Sequence, residues 1–218
     1  MRPDFTSEGI ELYCGDCREI LPHLGKVDAV VTDPPYGIDA VRNGKCFSTS
    51  NACKTNNYEP IIGDSEPFNP CHLIGFDRVC LFGANHYSDK LPARARWLIW
   101  DKRDGLQPNP LADVEMDWTN DTRPARLFHH RWMGMVRDSD KETTHPSEKP
   151  LALMLWCMSC LEVPIPATVI DPYMGSGTTG IACLRTGRKF IGIEISPKYF
   201  EIAKERIIRE QSQLKLNL

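Results

Sequence analysis

From Pro150 to Gln211 the chain alternates short β-branched apolar runs with helix-patterned segments, and this alternation constrains the fold more than any other feature. Pro150 to Leu161 reads as a helix with proline in its first turn. Thr168 to Asp171 reads as a strand, followed by a glycine-rich turn and a helix to about Arg185. Lys189 to Glu194 (KFIGIE) is a further strand, after which Ser196 caps a helix with Pro197 at its first position, running to about Gln211. The amino-terminal half adds strands at Gly9–Cys14, Val27–Thr32, Arg78–Phe82 and Arg96–Trp100, and a helix at Asp16–Leu24. Strands alternating with helices predict an α/β, mostly parallel, Rossmann-like sheet. A chain of 218 residues suits one such domain, over 1–218. Two polar, proline-rich stretches, about 37–76 and 101–145, break the alternation and are expected to be insertions covering the active site.

Two loops carry the chemistry. Asp33-Pro34-Pro35-Tyr36-Gly37 directly follows the buried run VDAVVT, and ligands of open α/β sheets sit beyond the carboxyl ends of strands. A carboxylate, a proline-held carbonyl and an aromatic ring within four residues suit one task. The exocyclic amine of a nucleobase is a poor nucleophile because its lone pair is delocalised into the ring. Acceptors aimed at its N–H groups localise that pair, and a ring can stack on a base that has left its duplex. The second loop, Asp171-Pro172-Tyr173-Met174-Gly175-Ser176-Gly177-Thr178-Thr179-Gly180, joins a strand to a helix. Its glycines permit close backbone approach, and Glu194 lies about 20 residues on, where a carboxylate binds ribose hydroxyls. By letters alone this loop fits a dinucleotide as well as another nucleoside cofactor. The Asp33–Tyr36 site decides between them, because a dehydrogenase has no use for it.

Together these elements resemble the DNA adenine-N6/cytosine-N4 amino-methyltransferases. DPPYG is similar to the family's catalytic motif, DPYMGSGTTG to its cofactor loop, His145-Pro146-Ser147-Glu148-Lys149-Pro150 to the HPTxKP element, IGIEIS to the ribose-binding strand, and Tyr13-Cys14-Gly15-Asp16-Cys17 to the GDC element. The catalytic motif precedes the cofactor loop, the permuted order of the β subclass. Ser147 and Glu148 replace commoner Thr and Gln, and Tyr173 replaces the usual Phe.

The resemblance implies an S-adenosyl-L-methionine-dependent enzyme acting on N6 of adenine in double-stranded DNA by base flipping, in a restriction-modification setting. Asp33 and the Pro34 carbonyl then accept from the target amine, with Pro35 holding the loop, and Tyr36 stacks on the base. Asp171, Pro172, Gly175, Ser176 and Gly177 shape the methionine pocket. Ser147 and Lys149 meet the cofactor's amino-acid end, Glu194 the ribose and Asp16 the adenine. Asp16 reads equally as a helix N-cap, and Lys149 taken alone as a surface lysine at a helix start. Cytosine-N4 methylation is the nearest alternative, although Ser is more usual than Asp at the first motif position of those enzymes. RNA guanine or protein glutamine methylation, or an inactive DNA-binding homologue, stand further off because of the motif order and HPSEKP.

Net charge is −3, so nucleic-acid binding must come from local charge. Arg123, Arg126, Arg131 and Arg137 fall in one acid-free run with Phe128 and Trp132 interleaved. The run is either a solvated strand pair or a phosphate-contacting surface; the second reading makes these arginines the candidate DNA contacts. Nine cysteines are an odd count, against a complete disulfide framework. The pairs Cys14/Cys17 and Cys157/Cys160 have zinc-like spacing, but spacing alone is weak and free cysteine is usually a buried apolar residue; no metal is expected. No apolar run reaches 18 residues and the amino terminus lacks a signal-peptide core, so no membrane partner and a cytoplasmic, nucleoid-associated location are expected. The resemblance is compatible with a homodimer.

Overall fold

The computed structural model describes residues 1–42, 45–46, 60–105, 112–133, 136–137 and 148–216. Strands β1 (Phe5–Ser7), β2 (Ile10–Cys14) and β3 (Ala29–Thr32) are followed by β4 (Val41–Arg42), β5 (Lys45–Cys46), β6 (Val79–Leu81) and β7 (Arg96–Asp101). Next come β8 (Val114–Thr119), β9 (Arg126–His129), β10 (Trp132–Met133), β11 (Val136–Arg137), β12 (Thr168–Asp171) and β13 (Lys189–Glu194). The helices are α1 (Cys17–Ile20), α2 (Leu151–Cys160), α3 (Thr178–Arg185) and α4 (Pro197–Leu216). Nine strands form one sheet in the order β1-β2-β13-β12-β3-β6-β8-β7-β9, while β4-β5 and β10-β11 are separate two-stranded ribbons. Only β1 and β8 run against the rest of the large sheet.

Period-two alternation divides each central strand between two cores. Ala29 and Val31 of β3 join the layer of α2, α3 and α4, where Leu153, Cys157, Ala182, Ala203 and Ile207 are fully buried. Val30 and Ile170 face the other way, against Cys17 and Ile20 of α1 and against Phe68, Leu73 and Tyr87. Burial on both faces explains why these strands read as continuous apolar runs. In α4, Tyr199, Ala203 and Ile207 recur at four-residue spacing and are buried. Gly177, at φ +81°, caps α3 where a Cβ would lie 3.1 Å from that of Ala203. The two helices therefore meet through a glycine. No helix among the described residues is long and apolar enough to cross a membrane.

The structure corrects one sequence expectation. The stretch 101–145 is not simply an insertion: β8 lies inside the sheet between β6 and β7, and β9 forms its far edge. The two Cys-x-x-Cys pairs also stand apart, Cys17 in the α1 core and Cys157 in the α2 core on the opposite face.

Candidate active site

Strands β12 and β3 are parallel neighbours, with Ile170 beside Val30. From this pair the sheet proceeds outward in both directions, through β13 on one side and β6 on the other. Their carboxyl ends therefore open at a topological switch point, where a crevice forms. Thr32 closes the seam by donating to Asp171 Oδ1 at 2.6 Å. Asp171 also accepts from Thr179 Oγ1 at 2.6 Å and from the Tyr173 amide at 3.1 Å. With three donors satisfied, Asp171 shapes the loop as a structural pin; burial still pushes its carboxyl up to about 6.

A cavity of about 390 Å³ lies over this seam, within the range of small-ligand sites. It is lined by Asp16, the whole of Asp33-Pro34-Pro35-Tyr36, Lys149, Asp171, Pro172, Gly175, Ser176 and Glu194. Gly177 is not part of the wall; its role is the α3–α4 approach described above. Ser147 lies outside the described residues.

At one end stand two carboxylates. Glu194, at the end of β13, accepts from the Gly175 amide and the Ser196 amide, each at 2.9 Å. Burial raises its carboxyl to about 7 against the pull of these amides. Asp16 caps α1 by accepting from the Arg18 amide at 2.8 Å and also lines the cavity, so the two readings of this residue coexist. A second tie holds the loop from behind: Arg206 of α4 donates to the Ser176 carbonyl at 2.6 Å and to Glu148 at 2.7 Å. The residues present fit an adenosyl group with an amino-acid tail. Glu194 and Asp16 offer carboxylate acceptors at one end of the cavity, and a glycine-containing turn forms its floor.

At the other end lies a buried polar cluster. Asp33 accepts from the Tyr36 hydroxyl at 2.5 Å and from Lys149 Nζ at 2.5 Å. Lys149 also reaches the Tyr36 oxygen and Glu115 Oε1, each at 3.2 Å, and the Tyr36 hydroxyl lies 3.0 Å from that same Glu115 oxygen. Lys102 stands 3.6 Å from the other oxygen of Glu115. Burial pushes the Asp33 carboxyl up, with Glu115 adding to the push, while Lys149 opposes it. Burial acts on Glu115 too, but Lys149 and Lys102 together hold its carboxyl below the ordinary range. Glu115 thus faces two ammonium groups where Asp33 faces one. Burial disfavours the charge on Lys149, yet Asp33 and Glu115 overcome it and raise the ammonium above its usual range. Lys149 lines the cavity with its Nζ paired to the Asp33 motif.

Tyr36 packs one ring face on His86, with centroids 5.1 Å apart and planes 13° from parallel. Its ring fills the space over Gly83, where any Cβ would fall 2.1 Å from the Tyr36 ring. The backbone after the motif is fixed by Asp64. Oδ1 of that buried carboxylate accepts from the amides of Tyr36 and Gly37, both at 2.9 Å, and Oδ2 accepts from Ala40 at 2.7 Å.

Sequence reasoning missed Glu115, Asp64, His86 and Arg206. Only Glu115 and Asp117 had a signal, the period-two alternation of VEMDWT, which puts both acids on one face of a strand. The four arginines do not form one surface. Arg123 lies past the carboxyl end of β8, which is the sheet end remote from Asp33. There it donates to Asp121 at 3.1 Å and to the Cys160 carbonyl at 2.7 Å, and it pairs with Glu162. Arg126 opens β9 at its amino end. Arg131 is exposed just beyond the carboxyl end of β9, on the same side as Asp33, and Arg137 belongs to β11.

A family model described as DNA methylase, for N6 and N4 methylation, matches residues 87–205, more than half of the chain. The match includes the cofactor loop and leaves Asp33–Tyr36 outside it. The type II methyltransferase M.ScaI of Streptomyces caespitosus is 24% identical, over 98% of this chain and 86% of that protein. Among solved structures, the M1.HpyAVI–SAM complex is similar at TM-score 0.55 and 23% identity, covering 91% of this chain and 98% of that one. The cytosine-N4-specific PvuII DNA methyltransferase is similar at TM-score 0.56 and 17% identity, covering 97% of this chain and 94% of that one. The fold, the cavity at the β12/β3 switch point and the family match agree: the chain belongs to the N6/N4 DNA methylase family, whose members are S-adenosyl-L-methionine-dependent methyltransferases.

Proposed function

We propose that the chain methylates N6 of adenine in double-stranded DNA, with the target base flipped into the cavity beside Asp33. The observation that carries this reading is the carboxylate of Asp33, which stands at the carboxyl end of β3 in the same cavity as Glu194. Bound S-adenosyl-L-methionine supplies a methyl group already activated by its sulfonium. The protein's contribution is then positioning and electrostatics. Glu194 and Asp16 hold the nucleoside end, Gly175 and Ser176 form the turn beneath the amino-acid tail, and Asp171 keeps that turn in place. Asp33 and the Pro34 carbonyl accept from the amine and localise its lone pair, with Pro35 stiffening the loop. Tyr36 offers its ring to the base. Arg131 and Arg137 are the members of the arginine run assigned to DNA phosphates. A homodimer and a cytoplasmic, nucleoid-associated location belong to the same reading.

The test is to incubate the protein with unmethylated DNA and S-adenosyl-L-methionine carrying a labelled methyl group, digest the DNA to nucleosides and identify the labelled one. Label in N6-methyladenine supports the proposal. Label in N4-methylcytosine, RNA or protein overturns the choice of substrate.

A further inference from the structure

Donor and acceptor counts around Asp33 raise a question that the proposed reaction must answer. An acceptor for the target amine needs a free lone pair directed at the incoming N–H. In this structure Oδ1 is engaged by the Tyr36 hydroxyl and Oδ2 by Lys149, both at 2.5 Å. A carboxylate has about four lone-pair sites and two are taken here; turning a free one towards the incoming amine rotates the carboxylate and loosens one or both of these short contacts. A buried hydroxyl or ammonium left without an acceptor is costly, more so for the charged group. Lys149 is only 8% exposed, so water is a poor substitute.

Both donors already have a second acceptor, and it is the same atom. Glu115 Oε1 lies 3.0 Å from the Tyr36 hydroxyl and 3.2 Å from Lys149 Nζ. The single hydroxyl proton of Tyr36 serves one carboxylate at a time, Asp33 or Glu115. Lys149 has three protons, and its neighbours at Asp33, Tyr36 and Glu115 match them. Glu115 comes from β8, the strand running against its neighbours, so its amino-terminal end is the one that reaches the carboxyl ends of β3 and β6.

We propose that Glu115 is a positioning residue: it is the stand-by acceptor that receives the Tyr36 hydroxyl and the Lys149 ammonium when Asp33 turns to the target amine. This rests on the reading of Asp33 as the amine's acceptor. Only hydrogen bonds are exchanged, and no proton changes owner. The charged and titratable groups facing Glu115 are Asp33, Tyr36, Lys149, Lys102, Asp117 and Tyr87. Lys102 balances Glu115 from the outer side and lets it stay ionised while it waits.

The test is Glu115→Gln, which keeps the shape and removes the charge. Single-turnover methyl transfer to DNA should slow about 10–100-fold, while the dissociation constant for S-adenosyl-L-methionine stays within about twofold. The second readout needs neither DNA nor cofactor: the 13C-detected titration of the Asp33 carboxyl should move to lower pH, because a like charge beside it is gone. The titration reports that the Glu115 charge faces Asp33, and the coupling with Tyr36→Phe separates a stand-by acceptor from a purely structural role. If Glu115→Gln does not fold, Glu115→Asp is used; it keeps the charge and shortens the reach, so transfer should slow while the Asp33 titration stays in place, and the transfer rate is then the deciding readout. In a Tyr36→Phe background the effect of Glu115→Gln on rate should shrink, since one of the two donors is already absent. An unmoved or raised Asp33 titration in Glu115→Gln, an unchanged transfer rate, or strict additivity with Tyr36→Phe overturns the proposal. A wild-type protein that labels no nucleoside sinks the methylation reading instead, while an unmoved Asp33 titration in Glu115→Gln still overturns the pairing on which the role of Glu115 depends.

Discussion

The two ends of the β8–β7 pair carry two charged clusters, and they are wired in opposite ways. At the end remote from the cavity, Arg96 donates to Asp121, to the Pro124 carbonyl and to the Cys160 carbonyl. Arg123 shares Asp121 and that same carbonyl. These acceptors include main-chain oxygens that cannot swing away, so the cluster has one arrangement and fastens the end of α2 to the sheet. At the cavity end, Asp33 and Glu115 compete for one lysine and one hydroxyl. On the proposal made above, that cluster has a second arrangement, with Glu115 as the acceptor. Fixed pairing marks the cluster that holds the fold together. Exchangeable pairing marks the one that must make room for a substrate.

The contrast can be broken first at Asp64, the fixed anchor beneath the exchangeable cluster. Asp64→Ala strips the amides of Tyr36, Gly37 and Ala40 of their acceptor. We expect a loss of about 3 kcal/mol in urea unfolding, given the worth of hydrogen bonds to a charged group, together with slower transfer. Full stability and full rate in this variant would show that the motif loop holds itself.

Asp117 tests the cavity-end cluster from behind. It is fully buried, and among the described residues neither carboxyl oxygen has a hydrogen-bond partner. Burial, with Cys80 and Glu115 adding to it, pushes its carboxyl well above the usual range. A carboxyl raised in the folded state contributes stability that is complete below its unfolded value and is lost as pH rises towards the folded value. Asp117→Asn removes that loss. The variant should gain about 2 kcal/mol over wild type between pH 5 and pH 8, below the ceiling of about 1.4 kcal/mol per pH unit. Parallel stability–pH curves for the two proteins would contradict this.

Glu194 gives a binding counterpart. With its carboxyl raised to about 7 by burial, it loses its charge as pH falls through neutrality. If the ionised form accepts from the ribose, affinity for S-adenosyl-L-methionine should fall about tenfold from pH 8 to pH 6 in calorimetric titrations. Glu194→Gln should flatten that slope.

The smallest effect is expected at the fixed cluster. Arg123 is 36% exposed, and Arg123→Ala should cost about 1 kcal/mol or less and leave DNA affinity unchanged. A clear drop in DNA affinity would return Arg123 to the DNA surface from which its position removes it.

What the sequence disclosed follows the same division. Strands β3, β12 and β13 and helices α2 to α4 were legible because burial on both faces, or on one helical stripe, leaves a local pattern. The two loops after β3 and β12 were legible because their chemistry is contiguous, as was the shared cavity that joins Asp33 to Glu194. Strand β8 was not, since VEMDWT places two acids in a buried strand, against every propensity. Lys149 was found, yet its partner was not, because Asp33 lies 116 residues away in the chain. Asp64 and Glu115 also act at a distance along the chain, 28 and 79 residues from Tyr36. Pairings of that kind exist only after the sheet has formed.

The central claim is that one cavity has two separable ends, one that binds the cofactor and one that presents the amine. Asp33→Ala tests it most directly, because Glu115 remains to pair Lys149 and the site need not collapse. The measurement is transfer rate and S-adenosyl-L-methionine affinity on the same preparation. The account predicts transfer reduced by about 1,000-fold or more with affinity within about twofold of wild type. Normal turnover, or a loss of cofactor binding equal to the loss of rate, would contradict it.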